Sequence, residues 1–344
     1  KAEEDSLEKY ISNMSIEQKI GQMVMVGIEG HVADERAKEL IEKYHVGGFI
    51  LFDRNIEDAK QTTDLINSLK SIGGESSAPL FFAIDEEGGT VSSVPDEFVK
   101  IPSSRKIGQV TNEEFCFQIG SVVAEKIKSL GFNMNFAPVL DIDSNPENPV
   151  IGSRAFGDNV DIVSRLGVSM MEGLMSEDVI SVVKHFPGHG DTSVDSHMDL
   201  PVVDHDMDRL NSFELAPFRA AIDAGAEAIM IAHILLPQID NEIPSSLSSK
   251  IIIDILRRDM GFEGVVITDD LTMGAIMKNY SISDASVEAV KAGCDMILVC
   301  HGYEGQLAAF ESLKEAVEED ILSETRIDES VYRIISLKQK YNLD

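Results

Sequence analysis

The fold is constrained most by a recurring pair of patterns, a short and almost uninterrupted apolar run followed by an amphipathic stretch. Eight such runs occur along the chain. Apolar and polar residues do not alternate within them, so both faces of each predicted strand must be buried, as in a parallel sheet that helices cover. The runs are Gln22–Ile28, Gly48–Phe52, Leu80–Ile84, Asn133–Leu140, Ile180–His185, Ala228–Ala232, Val265–Thr268 and Met296–Val299.

The stretches between these runs carry helix signals. Ser15 and Gln18 have the spacing of a capping box, which predicts that a helix begins there. Other helices are predicted to end at a glycine, because the left-handed backbone that often closes a helix is least costly for that residue. These glycines are Gly131, Gly225, Gly261 and Gly293.

Eight strands alternating with helices fit either a doubly wound open sheet or a closed barrel. The count of eight favours a single α/β domain, a (β/α)8 TIM-type barrel. A dinucleotide-binding open sheet would need Gly-x-Gly-x-x-Gly after its first strand, whereas the sequence there is GIEGHVAD. We therefore expect one barrel domain over residues 1–344, with residues 1–14 as a polar N-terminal stub.

Composition excludes several classes of partner. The 60 acidic and 29 basic residues give a net charge of −31, which disfavours nucleic acids and anionic membrane surfaces. No apolar run reaches the ~18–20 residues of a membrane-spanning helix. The three cysteines are too few for a disulfide framework and are expected to be buried thiols. The chain begins with Lys1 in place of an initiator methionine, and its opening KAEEDS is polar, which favours an exported or cell-surface lipoprotein over a cytoplasmic protein. We expect a monomer.

Ionisable residues follow almost every predicted strand at the same end. In a (β/α)8 barrel the carboxyl ends of the strands form the active-site face, so these side chains should meet in one polar bowl. Such a bowl suits a small polyhydroxylated or anionic substrate. The strand-end residues are Asp53, Asp85, Asp141, Lys184 with His185, His233, Asp269 and His301.

Two segments carry candidate catalytic groups. In KHFPGHGDTSVDSHMDLP, which starts at Lys184, Asp195 lies two residues from His197, and a carboxylate beside an imidazole suits general acid–base catalysis. On spacing alone, an incidental pair in a solvated loop remains open. In GVVITDDLTM an apolar strand delivers Asp269 to the rim as a candidate nucleophile, while Asp270 is expected to cap the next helix.

The segments GGFILFDRN, AIDEEGG, NFAPVLDID, IGSRAFG, KHFPGHGDTSVDSH and GVVITDDLTM occur in this order between about Ser15 and Tyr341. Together they resemble glycoside hydrolase family 3, in its β-N-acetylglucosaminidase (NagZ-type) branch. The resemblance implies a (β/α)8 barrel and a retaining β-N-acetylhexosaminidase. Its implied substrate carries terminal β-linked N-acetylglucosamine, either in peptidoglycan or muropeptide fragments or in chito-oligosaccharides.

The resemblance also implies roles for individual residues. Asp269 would be the nucleophile that forms a covalent glycosyl intermediate, and His197 with Asp195 would be the acid/base dyad. No metal and no cofactor are implied, and the partner is a small carbohydrate. The implied sugar-binding residues are Asp85, Arg154, Lys184 and His185, with Arg54 as a further candidate, while His189 and Asp191 would shape the loop.

The segment after the third strand departs from the family pattern. Thr90 and Ser93 stand where arginines are common, and Glu86 replaces a glutamine. The loss of two arginines lowers the positive charge near the expected sugar pocket. This argues against the usual preference of the branch for muropeptide-derived substrates.

Other readings remain open at this point. The same family includes β-glucosidases, and phosphate could replace water to give a phosphorolytic enzyme. A solute-binding barrel without catalysis is a third reading. A metal-dependent barrel hydrolase is a fourth, and inhibition by a chelator would favour it. Its ligands would come from His185, His189, Asp191, His197, His233 and Asp269.

Overall fold

A computed structural model describes residues 2–74 and 78–343 of the chain. Eight parallel strands close into a barrel in which each strand pairs with its neighbours in the sequence and the last strand returns to the first. The strands are β1 (Val24–Gly27), β2 (Gly48–Leu51), β3 (Phe81–Ile84), β4 (Met134–Asn135), β5 (Ile180–Phe186), β6 (Ala228–Ile231), β7 (Val265–Asp270) and β8 (Met296–Val299). The predicted (β/α)8 TIM-type barrel is confirmed, and the open sheet is excluded by the pairing of β8 with β1.

Helices surround the barrel between the strands. A short antiparallel hairpin, Glu86–Gly88 with Val91–Ser92, follows β3 at the active-site face. The α-helices are Ala2–Ser12, Ile16–Gln22, Glu35–Glu42, Ala59–Gly73, Ser104–Val110, Glu113–Ser129, Val160–Ser176, Met207–Ser212, Ala216–Asp223, Gly274–Met277, Ile282–Ala292, Tyr303–Glu318 and Glu324–Lys340. Short 3-10 turns span Asp53–Asn55, Gly152–Arg154 and Ser245–Leu247, and Lys250–Asp259 is π-helical.

The local signals explain most element boundaries. Ser15 accepts a hydrogen bond from the backbone N–H of Gln18, and the Gln18 side chain accepts one from the N–H of Ser15, which confirms the capping box. All four predicted helix-ending glycines have positive φ. The predicted strand Asn133–Leu140 shortens to Met134–Asn135, because Pro138 has no N–H to donate to a neighbouring strand.

The N-terminal stub is more structured than its polar composition suggests. Ala2–Ser12 forms a helix, and Leu7 and Ile11 are buried in the hydrophobic core. Within residues 2–74 and 78–343, no helix is both long and apolar enough to cross a membrane. The cysteines Cys116, Cys294 and Cys300 are buried free thiols, as expected, and burial raises the pKa of Cys116 to about 12.

The opposite end of the barrel is closed by a buried lysine. Lys338 Nζ donates to Gln22 Oε1 at 2.7 Å and to the Gly47 carbonyl at 2.9 Å, and it lies 4.6 Å from the centre of the Phe81 ring. Burial lowers the pKa of Lys338 to about 7. The two ends of the barrel therefore differ: at this end buried cations are held by hydrogen bonds and ion pairs, and the other end opens into a polar cavity.

Candidate active site

A cavity of about 480 Å³ opens at the carboxyl ends of the strands. It brings together the predicted site residues Asp85, Arg154, Lys184, His185, His197 and Asp269. Asp195, the remaining predicted residue, is hydrogen-bonded to His197 at the cavity edge. The strand-end pattern in the sequence therefore converges in space, as a barrel requires.

Asp269 occupies the end of β7, which continues two residues beyond its predicted limit. One carboxylate oxygen, Oδ1, accepts the N–H of Asp270 at 2.8 Å. Burial raises the pKa of Asp269, but His233, His185, the Asp270 N–H and Lys184 outweigh it, so the pKa lies below its ordinary value. Asp269 is thus a rigid and ionised carboxylate at the cavity floor, the form that a nucleophile needs.

The expectation that Asp270 caps the next helix is wrong. The helix Gly274–Met277 begins after Met273, and Asp270 instead accepts from the N–H and Oγ1 of Thr272, at 3.0 and 2.5 Å. It also accepts, at 3.0 Å, the N–H of Cys300, the residue that follows β8. Asp270 therefore joins the ends of β7 and β8 beside Asp269.

A buried carboxylate, Glu87, organises the cationic side of the cavity. Arg154 binds it through two parallel hydrogen bonds, Nε to Oε2 at 2.9 Å and Nη2 to Oε1 at 2.8 Å. Lys184 Nζ lies 2.7 Å from Glu87 Oε1 and also contacts Asp85. Burial raises the pKa of Glu87, but Lys184 and Arg154 outweigh it and bring the pKa to about 2.

Glu87 had no assigned role in the sequence analysis. The only signal for it is its place as the third of three consecutive acidic residues that begin at Asp85, and its partners lie far along the chain. Its neighbour Glu86 faces away from the cavity and forms a buried ion pair with Lys126 at 2.8 Å. Thr90 and Ser93 line the cavity and contribute no charge to it.

His185 is held by a second buried carboxylate, Asp141. His185 Nδ1 lies 2.6 Å from Asp141 Oδ2, while Asp141 Oδ1 accepts the N–H of His189 at 2.6 Å. His185 Nε2 lies 3.4 Å from Arg154 Nη2, and a guanidinium group only donates. In this contact the ring proton therefore lies on Nδ1, toward Asp141, and Nε2 accepts from Arg154.

His197 sits on the loop after β5 with its side chain 64% exposed. Its Nδ1 lies 2.7 Å from Asp195 Oδ1, and the same oxygen accepts the N–H of His197 at 2.9 Å. Burial raises the pKa of Asp195, but the hydrogen bonds from His197 outweigh it and lower the pKa overall. The pairing leaves His197 Nε2 as the ring nitrogen that can face a substrate.

Backbone contacts dock this loop against the segment after β7. The N–H of Gly274 donates to the carbonyl of His197 at 3.1 Å, and the N–H of Ala275 donates to the carbonyl of Ser196 at 3.1 Å. A Cβ atom on Gly274 would lie 2.6 Å from the His197 carbonyl oxygen. Only glycine therefore permits this approach without a shift of the loop.

The two residues expected to shape the loop have partners within or beside it. His189 contacts Thr192 Oγ1 through Nδ1 at 2.8 Å and Ser196 Oγ through Nε2 at 3.0 Å. Asp191 Oδ2 lies 2.7 Å from Nε2 of His205. The contacts of His189 tie the start of the loop to Ser196, the residue before His197.

The ligands suggested for a metal-dependent hydrolase are directed at different partners. His185 faces Asp141, Asp191 faces His205, and His233 contacts Ser246 Oγ at 2.7 Å and the Asp270 carbonyl at 2.9 Å. Across residues 2–74 and 78–343, no group of three or more histidine, cysteine or acidic side chains is arranged to hold a metal ion.

Arg54, the further sugar-binding candidate, lines the cavity but is largely occupied. Its Nε donates to the Ile28 carbonyl at 3.2 Å and its Nη2 to the Cys300 carbonyl at 2.9 Å. Its guanidinium lies 4.6 Å from the centre of the Phe52 ring, on which His301 also stacks. Arg54 therefore belongs to the wall of the cavity.

Comparison with known proteins gives a consistent result. The model of the glycosyl hydrolase family 3 N-terminal domain matches residues 15–337. A β-hexosaminidase of Nitrosomonas eutropha is 34% identical over 325 residues, which cover 92% of each chain. A β-hexosaminidase A of Pseudoalteromonas piscicida is 36% identical over 326 residues, covering 88% of this chain.

Among solved structures, a family 3 β-N-acetylglucosaminidase from Paenibacillus sp. superposes with a TM-score of 0.94. It is 44% identical, and the match covers 96% of this chain and 63% of that one. The chain likewise spans 54% of the length of the Pseudoalteromonas relative. These proteins are longer than the chain described here.

Proposed function

The chain belongs to glycoside hydrolase family 3, and from that premise we propose that it is a retaining β-N-acetylhexosaminidase. It would remove terminal β-linked N-acetylglucosamine through a covalent intermediate on Asp269. One observation carries the proposal: an ionised Asp269 on a strand end and the His197–Asp195 pair on a docked loop border the same cavity. The names of the relatives support this proposal: two are β-hexosaminidases, and the Paenibacillus protein is a β-N-acetylglucosaminidase.

In the first step, a carboxylate oxygen of Asp269 attacks the anomeric carbon while the bond from that carbon to the glycosidic oxygen breaks. The leaving oxygen takes the proton from His197 Nε2, and the electron pair of the broken bond stays on that oxygen. Asp195, ionised and bonded to Nδ1, stabilises the imidazolium form of His197 before the transfer.

In the second step, neutral His197 accepts a proton from water through Nε2. The water oxygen bonds to the anomeric carbon, and the bond between that carbon and Asp269 breaks. The carboxylate and the protonated imidazole are restored, and two inversions give overall retention of the anomeric configuration.

The sugar ring would be held by Asp85, Lys184, Arg154 and His185. Hydrogen bonds with charged groups contribute ~1.5–3 kcal/mol each, which is sufficient to orient a ring with several hydroxyls. Glu87 and Asp141 keep these groups in place before substrate arrives.

The charges of the cavity favour a neutral aglycone. The lining cations Arg54, Arg154 and Lys184 are engaged by carboxylates or backbone carbonyls. Asp53, Asp85, Asp269 and Asp270 also line the cavity, whereas Thr90 and Ser93 are uncharged. An anionic muropeptide would meet these carboxylates, while the arginines and the lysine beside them are already paired, so we propose chito-oligosaccharides as the preferred substrates.

Covalent trapping tests the central step. A fluorinated N-acetylglucosaminyl donor with an activated leaving group should leave a sugar adduct on the peptide containing Asp269, seen by mass spectrometry. Asp269→Asn should abolish the adduct and turnover, while Asp96→Asn, which removes one charge from an exposed pair with Lys100, should retain both. An adduct on another residue, or normal turnover by Asp269→Asn, would refute the nucleophile assignment.

A further inference from the structure

One amide side chain, that of Asn148, joins two loops of the site. Its Nδ2 lies 2.8 Å from the His189 carbonyl, 3.0 Å from the Gly190 carbonyl and 3.2 Å from Thr192 Oγ1. Its Oδ1 accepts the N–H groups of Val150 and Ile151, at 2.8 and 2.9 Å. Each end of the amide thus serves a different segment of the chain.

The acceptor end supports the sugar-binding side. The carbonyl of Ile151 accepts the N–H of Arg154 at 2.8 Å, and the carbonyl of Val150 lies 3.4 Å from Arg154 Nη1. By fixing the N–H groups of Val150 and Ile151, Asn148 orients the short turn that presents Arg154 to Glu87.

The donor end supports the acid/base loop. His189 and Thr192, both bonded to Asn148, contact each other, and His189 Nε2 reaches Ser196 Oγ at 3.0 Å. Ser196 immediately precedes His197. A continuous series of hydrogen bonds therefore leads from Asn148 to the residue that adjoins the proposed acid/base.

The surrounding backbone leaves little room for another arrangement. A Cβ atom on Gly190 would lie 1.6 Å from the Ile142 carbonyl oxygen, so the loop is pressed against the chain that follows β4. The side chain of Asn145 adds one bond to this contact, Nδ2 to the Thr192 carbonyl at 3.2 Å. The two N–H bonds of Asn148 have three acceptors within 3.2 Å there, so Asn148 is the stronger of the two links.

We infer that Asn148 is a positioning residue that sets the acid/base loop relative to the sugar-binding turn carrying Arg154. The inference rests on the proposed role of His197 as proton donor to the leaving group. Loss of the donor end should displace His197 while Arg154 stays supported. The defect should therefore be largest for substrates whose leaving group needs protonation.

Asn148→Asp is the decisive variant, because it has the same shape and keeps one oxygen for Val150 and Ile151. Its second oxygen replaces the donor and faces two carbonyls and a hydroxyl. A displacement of about 1 Å can reduce a rate about 100-fold. We expect kcat/KM for a chitobioside to fall about 10- to 100-fold, and kcat/KM for an activated aryl glycoside to fall less than about 3-fold.

Asn112→Asp is the matched control. Asn112 accepts the N–H of Phe115 as the cap of a distant helix, and aspartate caps equally well. The control should keep both rates, and thermal unfolding should show that both variants fold. Equal losses on the two substrates, or no loss on either, would overturn the inference about Asn148.

A pH series adds a readout that a general loss of structure would not give. A protonated carboxylic acid at position 148 can donate again, so the ratio of variant to wild-type activity on the chitobioside should rise as the pH falls. A constant ratio would count against the positioning role. The variant His197→Ala separates the two proposals. If it loses the same activity on both substrates, the proposed function fails. If it loses more on the chitobioside, the proposed function stands and the Asn148→Asp result alone decides the inference.

Discussion

Replacing Glu87 by glutamine tests how the site is built. The substitution keeps the shape of the side chain and removes the charge that Lys184 and Arg154 share. Lys184 then keeps its direct contact with Asp85, and Arg154 loses the only carboxylate that it binds through paired hydrogen bonds within the described residues. We expect the variant to be less stable than the wild type and to bind the sugar more weakly.

The pKa gives the magnitude. The shift from 4.5 to about 2 corresponds to about 3 kcal/mol in favour of the folded state. Because the pKa is lowered on folding, this stability is fully present above the unfolded value of 4.5 and is lost as the pH falls toward 2. Removing one partner of a buried ion pair typically lowers the unfolding free energy by a comparable amount, about 3–5 kcal/mol.

Urea unfolding at several pH values measures the effect, with Glu263→Gln, at an exposed position, as the matched control. At pH 7 the Glu87→Gln variant should lose about 3 kcal/mol of unfolding free energy, and between pH 5 and pH 3 its deficit relative to wild type should shrink by about 2 kcal/mol. KM for an aryl N-acetylglucosaminide should rise more than kcat falls. A deficit below about 1 kcal/mol, or one that does not change with pH, would refute the reasoning.

Four further outcomes follow. His197→Ala should lower kcat/KM about 100-fold or more for a chitobioside and far less for an activated aryl glycoside, whereas equal losses would contradict the acid role. Gly274→Ala should also lose more activity on the chitobioside than on the activated aryl glycoside, but to a smaller extent, since the new Cβ displaces the His197 carbonyl. Wild-type rates on both substrates would contradict this prediction. Inorganic phosphate should leave the rate and the free-sugar product unchanged, because the lining cations are already engaged, and a sugar 1-phosphate product would show phosphorolysis. Burial lowers the pKa of Lys338 to about 7, so the unfolding free energy of the wild type should rise between pH 7 and 10.5, and Lys338→Met should remove that rise. Equal pH slopes for the wild type and the variant would disprove this prediction.

The architecture and the position of Asp269 were predictable from local patterns. Apolar runs buried on both faces report their environment directly, and a carboxylate at a strand end must lie on one known face of a barrel. The same reasoning failed where a side chain had a choice of partners. Asp270 follows a strand and precedes a helix, so capping was a reasonable expectation, but the N–H of Cys300 on the adjacent strand end competes for it.

The two carboxylates whose partners the sequence analysis did not identify share one property: those partners are remote in sequence. Glu87 binds Arg154 and Lys184, and Asp141 binds His185, across intervals that local spacing does not encode. A buried carboxylate needs a counter-charge, but the sequence alone does not say which acidic residues are buried. Asn148 is harder still, because its function lies in bonds to backbone groups rather than to another recognisable side chain.

The structure divides the proposed chemistry between a rigid part and an accessible part. Asp269, Lys184 and His185 lie on strands. Lys184 and His185 are paired with buried carboxylates and Asp269 accepts a backbone N–H, which suits groups proposed to bind and attack one carbon atom. In the proposed mechanism His197 would change its protonation state twice in each turnover, and its exposed position on a loop would give it access to the leaving group and to water. An exposed loop still has to be held in position. The hydrogen bonds from Asn148 to the start of the loop and from Gly274 to the His197 carbonyl do this. Rigid sugar binding and proton transfer from an exposed loop are therefore compatible in the proposed mechanism. Hydrogen bonds to the backbone of the loop, and not the proposed catalytic side chains, join the loop to the rest of the site.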